Sequence, residues 1–221
     1  MNRAEVLNEI AGVIAEIRLA HPVRVVVDGR DGAGKSVLAD ELVGPLQSRG
    51  REVIRASVDG FHNPRALRYA QGRSSPEGYF LDSFNYAAFR EVLLVPLGPD
   101  GCRQYRKAVF DWRTDSPVIS PLRRAADDAV LVVDGIFMLR PELINYWDFR
   151  IFVDVTIEIG LMRCAMRDGS SSDSLAEENR RYIDGQKMYF EECNPKALAD
   201  VLVDNNNFVI PKLIWNHRTF G

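Results

Sequence analysis

Apolar positions recur along this chain at two distinct periods. Val6, Ile10, Val13, Ile14 and Ile17 fall three or four apart, which predicts a first helix ending before Pro22. The run VRVVVD, 23–28, is short, continuous and β-branched, the pattern of a strand buried on both faces. After a glycine-rich turn, KSVLADELVGPLQSRG places Leu38, Leu42 and Leu46 four apart and predicts a helix closed by Gly50. EVIRASVD (52–59), AVLVVDG (129–135), FRIFVDV (149–155) and ADVLVDN (199–205) read as four more core strands. Helices are expected over 157–168 and about 175–192, with GSSSDS, 169–174, as a flexible break between them. DSFNYAAFREVLLVPL predicts another helix with Asp82 as its N-cap.

Strands alternating with helices predict an α/β fold: a parallel five-stranded sheet with helices on both faces. Residues 60–81 are rich in Gly, Pro, Ser, Arg and aromatics, and CRQYRKAVFDWRTD has the mixed polarity of an exposed hairpin arm. Residues 60–125 are therefore expected to form an insertion within one domain spanning 1–221. The tail PKLIWNHRTFG, 211–221, places Ile214, Trp215 and Phe220 outside this core. They could cover a sheet edge or a neighbouring subunit.

Composition narrows the class. The chain is 46% hydrophobic with a net charge of −3, so it lacks the basic footprint of a nucleic-acid-binding domain. No apolar run reaches membrane-spanning length, and Glu5, Glu9 and Glu16 are wrong for a signal peptide. Cys102, Cys164 and Cys193 are widely spaced and form neither a disulfide framework nor a zinc motif. A cytoplasmic protein with reduced thiols is expected; nothing points to a homo-oligomer.

GRDGAGKS, 29–36, matches G-x-x-x-x-G-K-[ST] between a strand and a helix, the context such a phosphate-binding loop requires. Glycines let backbone N–H groups turn inward around an oxyanion, and the helix N-terminus adds its positive end. Gly29, Gly32, Ala33, Gly34, Lys35, Ser36 and Val37 are the expected phosphate contacts. Lys35 supplies charge to the β/γ-phosphates, and Ser36 a hydroxyl ligand for Mg²⁺. ATP and Mg²⁺ are the implied cofactors. Asp31, at a variable loop position, is expected to point outward with Arg30 offsetting its charge.

Asp134 and Asp59 end two other strands, where an open α/β sheet places its ligands. Asp134 is a candidate metal ligand. Asp59 could accept a proton from a substrate hydroxyl and help hold the metal. The insertion offers Phe61, His62, Tyr79, Phe80, Asp82, Phe84, Phe110, Asp111 and Trp112 for a small-molecule acceptor. His62 is either an acceptor contact or an exposed loop histidine. Arg163 and Arg167 sit four apart on one helical face, with Arg180 and Arg181 beyond the break. They predict a lid over 163–182 that closes on transition-state charge.

Across 22–205 the order SVDGFH, VFDW, LVVDGIFML, FRIFVDV, LMRCAMRD and GQKMYFEECNPKALADVLV resembles the P-loop kinase group of uridine kinase, phosphoribulokinase and bacterial pantothenate kinase, uridine kinase most of all. The resemblance implies Asp59 as catalytic base, and Ser36 and Asp134 around Mg²⁺. It places Asp82 on sugar hydroxyls, Phe110 and Trp112 on the nucleobase, Arg163 and Arg167 on phosphate, and Gln186 toward the base. The implied reaction moves the γ-phosphoryl of ATP to the 5′-OH of uridine or a related nucleoside. Two departures stand out. The family's E-G-I acid is Asp134 here, and Asp115 stands where uridine-binding members carry a base-reading histidine. DGFHNP also resembles pantothenate and sugar kinases of the group, which keeps those acceptors open. A regulatory module that binds ATP without transfer is the alternative of another class.

Overall fold

The computed structural model describes residues 1–216; Phe220 lies outside them. In chain order the first half contains α1 (Arg3–Glu16), β1 (Val23–Gly29), α2 (Lys35–Glu41), α3 (Val43–Gln47), β2 (Val53–Ser57), α4 (Arg65–Arg68), α5 (Pro76–Asp82) and α6 (Tyr86–Phe89). Four two-residue strands follow: β3 (Gln104–Tyr105), β4 (Phe110–Asp111), β5 (Ser116–Pro117) and β6 (Arg123–Arg124). The second half contains β7 (Val130–Asp134), β8 (Phe149–Asp154), α7 (Ile157–Asp168), α8 (Glu177–Cys193), α9 (Pro195–Leu198), β9 (Val201–Asp204) and β10 (Lys212–Trp215).

The main sheet has six strands in the order β10-β9-β8-β1-β7-β2, not the five expected. The extra strand is β10, antiparallel to β9, which pairs Ile214 with Leu202 and Trp215 with Val201. The tail thus covers a sheet edge of its own chain, satisfying backbone groups that β9 would otherwise expose. The other five strands are mutually parallel, with β1 at the centre between β7 and β8.

Alternation along the strands builds two cores. Val23, Val25 and Val27 of β1, Val130 and Val132 of β7, and Phe149, Ile151 and Val153 of β8 face α1, α2 and α3. Val26, Leu131, Val133 and Phe152 face the opposite way, against Phe61, Phe80, Phe84, Phe89 and Tyr189. Three phenylalanines considered for the acceptor, Phe61, Phe80 and Phe84, are therefore core residues, each at most 5% exposed. The inserted segment supplies much of one face of the sheet.

Two helices depart from expectation. The helix expected over KSVLADELVGPLQSRG divides into α2 and α3 at Leu42. Pro45 has no N–H to donate to the carbonyl of Glu41, so the regular ladder breaks there. Asp82 closes α5 instead of capping the next helix; Asn85 caps α6, its side chain accepting from the N–H of Ala88 at 2.9 Å. The chain then continues through a π-helical turn, Arg90–Leu94. Among the described residues no helix is long and apolar enough to cross a membrane.

Candidate active site

The glycine loop joins β1 to α2 and is pressed against two neighbours. A Cβ on Gly29 would lie 2.2 Å from the carbonyl oxygen of Val153, and one on Gly32 would lie 2.1 Å from that of Gly160. Gly32 also has φ +71°, a left-handed conformation that L side chains adopt only with strain. The loop therefore sits between the end of β8 and the first turns of α7. Lys35 folds back over it, its Nζ donating to the carbonyl of Arg30 at 2.7 Å and lying 3.9 Å from Asp31 Oδ1.

Below the loop, Ser36 Oγ donates to Asp134 Oδ2. The other oxygen, Asp134 Oδ1, is buried and accepts no hydrogen bond; Arg55 Nη1 lies 2.7 Å away in an ion pair off the hydrogen-bond axis. The Ser36 hydroxyl and the Asp134 carboxylate are hard oxygen donors of the kind that suits Mg²⁺, and Arg55 already pairs with the carboxylate from the other side. Arg55 was not singled out in the sequence; its partner Asp40 at 2.7 Å belongs to α2.

Asp59 lies on the 3₁₀ turn Val58–Phe61 just after β2. Its carboxyl is reached from the cavity yet hemmed in by protein. Burial raises its pKa above the ordinary carboxylate range; Asp134 and Asp31 add to the rise, while His62 and Lys35 oppose it. His62 Nδ1 donates to the carbonyl of Asp59 at 3.0 Å, and its ring lies against Phe84 and Trp112, with centroids 4.5 and 6.0 Å away. Burial lowers the His62 pKa, favouring the neutral ring. His62 is half-buried on the cavity wall, not an exposed loop histidine.

A cavity of about 590 Å³ opens above the loop, with Asp31, Asp59, His62, Trp112, Arg167 and Gln186 among its walls. Five segments far apart in sequence meet there. Other expected contacts fall elsewhere. Phe110 is buried in the β4–β5 ribbon. Asp82 accepts from Gln71 Nε2 at 2.7 Å and is not a wall of the cavity. Arg163 Nη2 donates to the carbonyls of Asn205 and Asn206 at 2.9 and 3.3 Å, tying α7 to the loop after β9. Arg167 is exposed at the mouth and pairs with Asp168 at 3.0 Å. The two arginines, four apart, thus point to different places. Asp115 accepts from the N–H of Arg65 at 2.8 Å and faces Arg68 at 3.5 Å.

Asp31 does not point outward. Its Oδ2 accepts from Tyr79 Oη at 2.7 Å and from Gln186 Nε2 at 3.2 Å, while its N–H donates to Gln186 Oε1 at 3.2 Å. Arg30 does not offset it; that guanidinium stacks on Phe190, 4.0 Å from the ring centroid. Asp28, just before the loop, was also missed. It is fully buried and accepts from the N–H groups of Gly29, Met138 and Leu139 at 2.6, 3.0 and 3.1 Å, and from Tyr189 Oη at 2.5 Å. Burial raises its pKa to about 6 despite these donors. The available signal was an acid directly before a glycine at the end of an apolar strand, VVVDG.

The parallel sheet with a glycine loop after its central strand is a fold shared with solved kinases. No protein-family model matches the chain. Along most of its length it is similar to uridine kinases: 24% identical over 199 residues to one from Brevibacillus brevis, covering 86% of this chain and 88% of the relative. A uridine kinase from Leuconostoc citreum is 25% identical over 191 residues, covering 82% and 87%. Among solved structures, one described as a possible uridine kinase from Bacillus stearothermophilus superposes with a TM-score of 0.73 at 21% identity, covering 91% of this chain and 98% of that one. A D-glycerate 3-kinase from Cryptococcus neoformans superposes with a TM-score of 0.60 at 12% identity, covering 96% and 99%. These likenesses support a phosphotransferase of the P-loop kinase kind.

Proposed function

We propose that this protein transfers the γ-phosphoryl group of ATP to a hydroxyl of a small molecule, the 5′-OH of uridine or a related nucleoside being the first acceptor to test. The observation that carries this reading is Asp59. Its carboxyl lies on the wall of an open cavity, within electrostatic reach of Lys35, where a substrate hydroxyl and a γ-phosphate would meet. Asp59 takes the hydroxyl proton as the oxygen attacks phosphorus, and a pKa raised above the ordinary carboxylate range favours that role. The glycine loop's N–H groups and Lys35 hold the phosphates. Ser36 and Asp134 would hold Mg²⁺, which when bound neutralises charge on the β- and γ-oxygens. His62 and Trp112 wall the acceptor, and Arg167 lies at the mouth where a lid would close.

A second reading keeps the reaction and changes the acceptor to a non-nucleoside polyol or hydroxy acid. It is favoured by Asp115, which stands where the resemblance implies base reading yet accepts from the backbone N–H of Arg65 and pairs with Arg68. ADP release measured over nucleosides, pantothenate, glycerate and hexoses separates the two. Asp59→Asn is expected to lower turnover about 10²- to 10⁴-fold with ATP binding retained. Absence of ADP release with every acceptor would leave the non-catalytic ATP-binding module as the better account.

A further inference from the structure

The loop acid Asp31 has an arrangement that phosphate binding does not use. Its carboxylate turns away from the inner, N–H-lined surface of the loop and toward α5 and α8. Only Oδ2 is hydrogen-bonded, to Tyr79 and Gln186. Oδ1 accepts no hydrogen bond among the described residues; its charged neighbour Lys35 is 3.9 Å away. The side chain remains 34% exposed, on the wall of the cavity that also holds Asp59. A carboxylate kept solely as a clamp between loop and helices would have both oxygens engaged. This one is oriented through one oxygen and leaves the other open to a donor.

Asp82 does not fill that role. It is bonded to Gln71 outside the cavity wall. Asp31 lies on that wall beside Asp59 with one oxygen held and the other open; of the other two carboxylates there, Asp168 has both oxygens engaged and Glu178 is an exposed side chain held to the N–H of Ser171.

We infer that Asp31 is a specificity-determining residue: its Oδ1 accepts a hydrogen bond from a second hydroxyl of the phosphate acceptor. The inference rests on the phosphotransfer reading. It selects a polyhydroxyl acceptor over one lacking that hydroxyl, because a carboxylate covered by the bound acceptor is then left without its donor. It also disfavours an acceptor carrying an anionic group at that point, by like-charge repulsion. Tyr79 and Gln186 act as positioning residues that fix the carboxylate's direction.

The test uses the full chain, its Asp31→Ala and Asp31→Asn variants, and two readouts. Calorimetry with Mg²⁺ and a non-hydrolysable ATP analogue measures binding of uridine, glycerate and fructose, each beside analogues lacking one hydroxyl. ADP release measures transfer. A polyol that binds the parent protein is expected to bind Asp31→Ala about tenfold more weakly. One deoxy analogue should bind the parent protein weakly and lose little further affinity in the variant. Affinity for the ATP analogue should stay within about twofold. Asp31→Asn preserves shape, so it carries the test should the alanine variant fail to fold. The inference is overturned by unchanged polyol affinity in both variants, by an equal loss of nucleotide affinity, or by no polyol binding at all. Polyol binding that depends on Asp31 without ADP release would instead sink the phosphotransfer reading alone.

Discussion

At the glycine loop, beneath the cavity, regular elements do the positioning. Lys35 and Ser36 open a helix, Asp134 ends a central strand, and Asp28 ends its neighbour, each fixed by ladder or backbone hydrogen bonds. On the acceptor side, Asp31, His62, Trp112, Arg167 and Gln186 come from a loop, a turn, an arm and two helices. The first group is made of short-range geometry and tolerates little change in the backbone. The second depends on how separate segments pack, so its side chains can be exchanged for a different acceptor without disturbing the first.

The largest effect that would break this contrast lies at Asp28. Its pKa rises from about 3.8 unfolded to about 6 folded, so the folded state binds more protons between those values. The stability that this protonation contributes is fully present below the unfolded pKa and is lost as pH rises through about 6. The stability of the parent protein relative to Asp28→Asn should therefore fall by about 3 kcal/mol between pH 3.5 and 7, read from urea unfolding of both proteins. A flat difference would show that the buried acid is not held as the geometry implies.

Gly32→Ala comes next. A Cβ there meets the Gly160 carbonyl in a left-handed backbone, so a loss of about 2 kcal/mol or more is expected, together with weakened ATP binding. Unchanged stability would mean that the loop and α7 separate easily, and the phosphate wall would be no more rigid than the acceptor wall.

The smallest effect separates two arginines. Arg163→Ala removes two charged hydrogen bonds to carbonyls and should cost about 1–2 kcal/mol of stability. Arg167→Ala, exposed at the mouth, should change stability by less than about 0.5 kcal/mol while lowering turnover. Thermal melts and ADP release on both variants check this pair. If Arg163 affected turnover alone and Arg167 stability alone, the placement of α7 would be wrong.

The strands and the glycine loop were legible because their signals are local. Continuous β-branched runs, an acid at a strand end and glycines at fixed spacing report on the few residues around them. Helix 157–168 was read to the residue from its period, whereas α2 and α3 were merged because the leucine spacing outweighed Pro45. Asp82 was misplaced because two acceptable caps lie three residues apart, and the packing of α5 selected Asn85. The phenylalanines of the insertion were read as acceptor contacts because an aromatic in a polar segment looks the same whether it faces a cavity or a core.

By itself the sequence determined the parallel sheet, the glycine loop and the strand-end acid Asp134, since backbone geometry dictates where a residue at the end of a strand must lie; the strand expected to end on Asp59 stops at Ser57, and Asp59 falls on the turn that follows. Tertiary structure decided the rest. It closed the sheet with β10, sent Arg163 and Arg167 from one helical face to two destinations, and turned Asp31 inward through Tyr79 and Gln186. The last of these depends on partners 48 and 155 residues away in the chain, and no local pattern encodes a direction set by so distant a contact.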